Sequence, residues 1–134
     1  MASIDTIEGI SHRQATSLRK ARIRTVEALL KKGATRKGRR EIAASTKQSE
    51  KLILEWVNRA DLMRIRGVGE EYSDLLEAAG VDTVKELRRR NPGNLLGSMV
   101  EVNAKQRLVR RLPTEAMVER WVEHARELEV VVMY

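Results

Sequence analysis

Cysteine is absent from this 134-residue chain, so neither a disulfide nor a thiolate metal site can form. Phenylalanine is absent too, and two tyrosines and two tryptophans are the only aromatics. That is too few for a platform on which single-stranded bases stack. Histidine occurs only as His12 and His124, with no partner at metal-ligand spacing. "GATRKGRR" lacks the Gly-Lys-Ser/Thr ending of a P-loop, and the carboxylates scatter over ordinary helix surfaces. No apolar run approaches the roughly 18 residues of a membrane span. The N-terminal "MASIDTIEGI" has neither the basic start nor the apolar core of a signal peptide. The expectation is a non-enzymatic, cytoplasmic protein with no metal, no cofactor and no membrane partner.

Charge is what the chain has in excess. The net charge is +7, and all of it lies in residues 1–62, which hold 14 Lys/Arg against 7 Asp/Glu. Residues 63–134 hold 12 of each. A polyanion partner for the first half follows as an expectation. A solvated basic surface that aids solubility is the blander reading.

The chain also repeats. A shift of 58 residues places Ile7 on Ile65, Gly9 on Gly67, Leu18 on Leu76, Thr25 on Thr83 and Leu29 on Leu87. A shift of 65 places Trp56-Val57 on Trp121-Val122 and Ala60 on Ala125. Two related units follow, residues 1–62 and 63–134, with about seven residues inserted in the second. Each reads as all-helical. Tyr72, Leu75, Leu76 and Ala79 recur at helical spacing, and Gly80 suits a left-handed stop. "TVKE" at 83–86 reads as a capping box. Asn91-Pro92 and Pro113-Thr114 open later helices, and Thr25, Thr35 and Ser49 open helices in the first unit. Both tryptophans fall on apolar helix faces as core anchors. The tail "EVVVMY" fits an edge strand or a packed arm.

"MRIRGVGEEYSDLLEAAGVDTVKEL", residues 63–87, resembles the helix-hairpin-helix motif, in which an apolar-x-Gly-apolar-Gly hairpin separates two short helices. Residues 7–29, beginning "IEGISHR", resemble a weaker copy. Nearly the whole chain resembles the domain-of-unknown-function family DUF4332. The resemblance implies an all-α fold: duplicated helix-hairpin-helix units packed as one compact pseudo-twofold domain, with a short apolar C-terminal tail. It also implies backbone contacts to duplex DNA phosphates from Gly67, Val68 and Gly69, and from Gly9, Ile10 and Ser11 in the first unit.

Both copies depart from the motif. Glu70 and Glu71 favour the start of their helix through its dipole but stand where a phosphate would approach. Ser11 replaces the second glycine, and Arg22 stands where Gly80 would be, so its turn must differ or be strained. The first copy has the cations. His12 and Arg13 follow the hairpin, then Arg19, Lys20, Arg22 and Arg24. A second cluster holds Lys31, Lys32, Arg36, Lys37, Arg39 and Arg40. The expected function is sequence-nonspecific binding of duplex DNA, with nucleoid association. The alternative is an interaction module that binds an acidic protein or associates with itself.

Overall fold

The computed structural model describes residues 2–7 and 9–134. Glu8, in the first hairpin sequence, and Met1 lie outside the described residues. The described residues form a short 3-10 helix, Ile4–Thr6, and eight α-helices. These are α1 (His12–Lys20), α2 (Val26–Gly33), α3 (Arg36–Thr46), α4 (Glu50–Leu62), α5 (Glu70–Ala78), α6 (Val84–Leu87), α7 (Pro92–Gln106) and α8 (Glu115–Glu127). The fold is all-helical, and none of these helices is long and apolar enough to cross a membrane.

Contacts divide the chain into two compact units. Unit 1 is Met1–Asp61 together with Val131–Tyr134, and unit 2 is Leu62–Val130. In unit 1, Ile4, Ile7, Leu18, Leu29, Ile42, Ile53 and Trp56 are buried, as are smaller apolar residues. In unit 2 the core gathers Ile65, Leu75, Leu76, Val84, Leu87, Leu95, Met99 and Trp121, with Tyr72 and Ala79 packed at its margin. Leu62, the last residue of α4, belongs to this second core. Both tryptophans are 2% exposed and anchor their cores.

Side-chain caps start most of the helices. The Thr25, Thr35, Thr83 and Thr114 hydroxyls accept from the amides of Ala28, Gly38, Glu86 and Met117 at 3.0–3.2 Å. Asn91 does the same for α7, with Pro92 at its first position. The expected capping box at 83–86 is only half formed, since the cap is the Thr83 hydroxyl alone. The reciprocal box stands instead at Ser11–Gln14. The Ser11 amide donates to Gln14 Oε1 at 2.8 Å, and the Gln14 amide donates to Ser11 Oγ at 3.1 Å.

The turn after α1 and the turn after α5 share one hydrogen-bond pattern 58 residues apart. Ile23 N donates to Leu18 O and Val81 N to Leu76 O, both at 2.9 Å. Arg22 N donates to Arg19 O and Gly80 N to Glu77 O. Gly80 has φ +96°, and Arg22 is held at φ +66° to make the same turn. A residue with a β-carbon pays about 1–2 kcal/mol in that region. Glycine there brings an entropic cost of about 0.5–1 kcal/mol. Arg22→Gly is therefore expected to leave stability unchanged or raise it by up to about 1 kcal/mol. Thermal melts of the two proteins check this, and a lower melting temperature for the variant would contradict the strain at Arg22.

The tail forms no strand. Val132 is 4% exposed, Met133 N donates to Ala34 O at 2.8 Å, and the Tyr134 hydroxyl donates to Asn58 Oδ1 at 2.9 Å. It is a packed arm on unit 1.

Candidate nucleic-acid interface

Each hairpin turns on its first glycine. Gly9 has φ +91° and Gly67 φ +89°, a region that glycine alone occupies without strain. The second position makes no such demand. Ser11 has φ −72° and ψ 165°, ordinary extended geometry, and it caps α1. Replacing the second glycine by Ser11 therefore costs no backbone freedom. Serine fits there and supplies a cap that Gly69 lacks.

The hairpin amides are less available than the resemblance implies. Ile10 N donates to Ile7 O at 3.3 Å and Val68 N to Ile65 O at 3.0 Å. The Ser11 amide is held by Gln14. The Val68 side chain is buried in the unit 2 core. The amides of His12 and Arg13 lie in the first turn of α1, where no intrahelical acceptor exists. Both side chains are exposed. In unit 2 the first turn of α5 presents exposed Glu70 and Glu71.

The two basic clusters are each divided by the fold. Arg13 stands at the hairpin end of α1, while Lys20, Arg22 and Arg24 stand beyond its other end. Nine residues at about 1.5 Å each separate Arg13 from Arg22 by roughly 13 Å. Lys20, Arg22 and Arg24 are exposed. Arg19 is half-buried and ion-paired to Asp5.

The second cluster wraps around α3, because successive helical residues turn by about 100°. Lys37 shares an open cleft of about 490 Å³ with Lys31 and Lys32 at the α2–α3 corner. A neighbouring cleft joins Lys32 to Ala21 and Ile23, so the Arg22 turn adjoins this corner. Lys32 is paired to Glu41 at 2.7 Å. Arg36 faces another pocket with Lys51 and Tyr134, and Arg40 pairs with Glu50 at 3.5 Å.

Arg39 departs from the expectation. It is 5% exposed, and its guanidinium donates to Gly33 O, Ala34 O and Met133 O at 2.9, 3.2 and 2.7 Å. Its carbon Cζ lies 5.9 Å from the centre of the Tyr134 ring. Burial lowers its pKa from the ordinary arginine value; Tyr134 raises it, Arg36 lowers it and Glu50 raises it. Arg39 ties the end of α2 to the tail, and with three carbonyls on its buried guanidinium little of it is left for a phosphate.

Arg59 is a cation the sequence reading passed over. A β-carbon on Gly9 would stand 3.3 Å from its Nη1, so it sits against the first hairpin. Its position three residues after Trp56, on the helix face turned toward the core, was the available signal. Among the described residues, no cluster of three or more His, Asp or Glu is placed to hold a metal ion.

No curated protein and no solved structure matches the chain. One family model, described as Domain of unknown function (DUF4332), matches residues 8–128, and the chain belongs to that family.

Proposed function

We propose that unit 1 is a non-enzymatic, sequence-nonspecific duplex DNA-binding module of the helix-hairpin-helix type. Lysine and arginine side chains do most of the binding. One observation carries this reading. Arg13, Lys20, Arg22, Arg24, Lys31, Arg36 and Lys37 are exposed and make no ion pair among the described residues. Cations left unpaired on one unit are the electrostatic footprint of a polyanion ligand. The matching turns 58 residues apart support a duplicated hairpin unit, in which the second copy serves mainly as structure. Because the Ile10 and Ser11 amides are already bonded, the hairpin itself contributes through the first turn of α1, at His12 and Arg13.

Fluorescence anisotropy with a labelled duplex tests the reading. With about six phosphate contacts, affinity should fall about a thousandfold between roughly 50 and 200 mM salt. Charge reversal at Lys20, Arg22 and Arg24 should make the salt slope shallower by about one per residue. No binding at the lower salt would end this reading. The acids of α5 and the occupied hairpin amides favour a second reading, an acidic protein or self-association. Capture of a partner that survives nuclease would select it.

A further inference from the structure

A cleft lies beside the second hairpin, lined by Arg66, Gly67, Met117, Arg120, Trp121 and His124, with a volume of about 260 Å³. Every polar side chain in this lining presents a donor. Trp121 is almost wholly buried, and its ring is set 5.2 Å from that of Tyr72, whose hydroxyl donates to Arg111 O. Its indole N–H meets no acceptor among the described residues. The nitrogen lies 3.2 Å from where a β-carbon on Gly67 would stand, so the bare glycine leaves it open to the cleft. His124 Nδ1 accepts the Arg66 backbone N–H at 3.1 Å. The neutral imidazole then carries its proton on Nε2, a second donor. Arg66 and Arg120 are exposed and add two charged forks. Among the described residues, no carboxylate lines the cleft.

The positions 65 residues earlier are built differently. The Trp56 indole nitrogen is fully buried without a partner. Arg59, the counterpart of His124, packs against Gly9. The cleft is thus a property of unit 2 and not of the hairpin sequence in general. The Trp121 N–H that opens on the cleft can donate to a ligand oxygen.

We propose that this cleft binds the phosphate group of a phosphate monoester. Two arginines match its charge of about −1.5 to −2 near neutral pH. Its oxygens can accept from the indole, the imidazole and the guanidinium forks together. The remaining space beside Met117 admits a small organic body. The monoester could be a free metabolite or the terminal phosphate of a nucleic acid strand, and the two arms of the test separate them. The proposal does not rest on DNA binding by unit 1.

The chain has two tryptophans, so its proton–nitrogen NMR spectrum has two indole signals. The buried Trp56 signal is recognised by its slower exchange with solvent. Inorganic phosphate should move the Trp121 signal along a saturating curve and leave Trp56 unmoved. A duplex carrying a 5′-phosphate should do the same, and better than its unphosphorylated twin, if a strand end is the natural ligand. Equal response to the two duplexes, with saturation by inorganic phosphate, assigns the site to small monoesters. Arg120→Gln should weaken the phosphate curve about tenfold or more, as loss of a charge-assisted bond requires. The proposal is overturned if phosphate leaves Trp121 unmoved, if both indoles drift without saturating, or if Arg120→Gln titrates as the parent does.

Discussion

Gly38→Ala is expected to destabilise the protein by about 3 kcal/mol, although the residue lies inside a helix, where alanine is ordinarily better by about 1 kcal/mol. A β-carbon at Gly38 would stand 1.8 Å from Lys32 O and 3.0 Å from Lys32 C. These are backbone atoms of the last turn of α2, so no rotamer change clears them. Helix α3 would have to back away from α2. That movement strains the Gly38 N–Thr35 Oγ1 cap at 3.1 Å and the Lys32–Glu41 pair at 2.7 Å. Overpacking of this kind costs about 1–3 kcal/mol or somewhat more. Loss of the cap adds about 1 kcal/mol. Together they exceed the gain in helix propensity. Gly33→Ala should be milder, because its new β-carbon meets a side-chain methyl of Val57, at 2.4 Å, that can shift. Gly97→Ala is the control. It lies on the exposed face of α7 with nothing within 4 Å, and should stabilise by up to about 1 kcal/mol. Urea denaturation of the three variants gives the order directly. If Gly38→Ala matched Gly97→Ala, the close approach of α3 to α2 would be wrong.

The same glycine marks the limit of what could be read from the sequence. Periodicity and caps were legible, because the information is local. Thr35 announced α3, Asn91-Pro92 announced α7, and the apolar stripe of α8 placed Trp121 inward. In the run "RKGRR", however, every residue looked like surface. Which of four arginines and lysines turns inward depends on the angle at which α3 leaves α2. That angle is set by Gly38 meeting the Lys32 carbonyl, a contact no spacing rule contains. The first hairpin shows the same division. Gly9 was identifiable as the turn, but the Gln14 side chain that takes the Ser11 amide was not. The cleft at Trp121 needed the fold to bring residues 66–67 beside 117–124.

Arg39 is where the sequence expectation and the structure part most sharply, and its replacement separates them. As a phosphate contact, Arg39→Met would weaken DNA binding and make the salt slope shallower by about one while leaving the fold intact. The structure requires the reverse. The side chain reaches the C-terminal end of α2 at Gly33 O and Ala34 O, and the tail at Met133 O. Ala34 O keeps a second donor in Met133 N, but Gly33 O and Met133 O lose the arginine with nothing to replace it on the same side. An unsatisfied buried carbonyl at Gly33 costs about 1–3 kcal/mol, and the lost charge-assisted bond to the part-buried Met133 O adds to it, so a total loss near about 3 kcal/mol is expected. Faster hydrogen exchange at the Met133 amide should accompany it. Arg39→Lys should recover less than half of that loss, because one ammonium on a flexible stem cannot span the three carbonyls that the planar fork reaches at once. Where the Arg39→Met variant remains folded, the salt slope for duplex DNA should equal that of the parent protein. A stable variant with a shallower slope would return Arg39 to the phosphate-binding surface. An unstable one with an unchanged slope fixes it as the residue that fastens residues 131–134 to the α2–α3 corner.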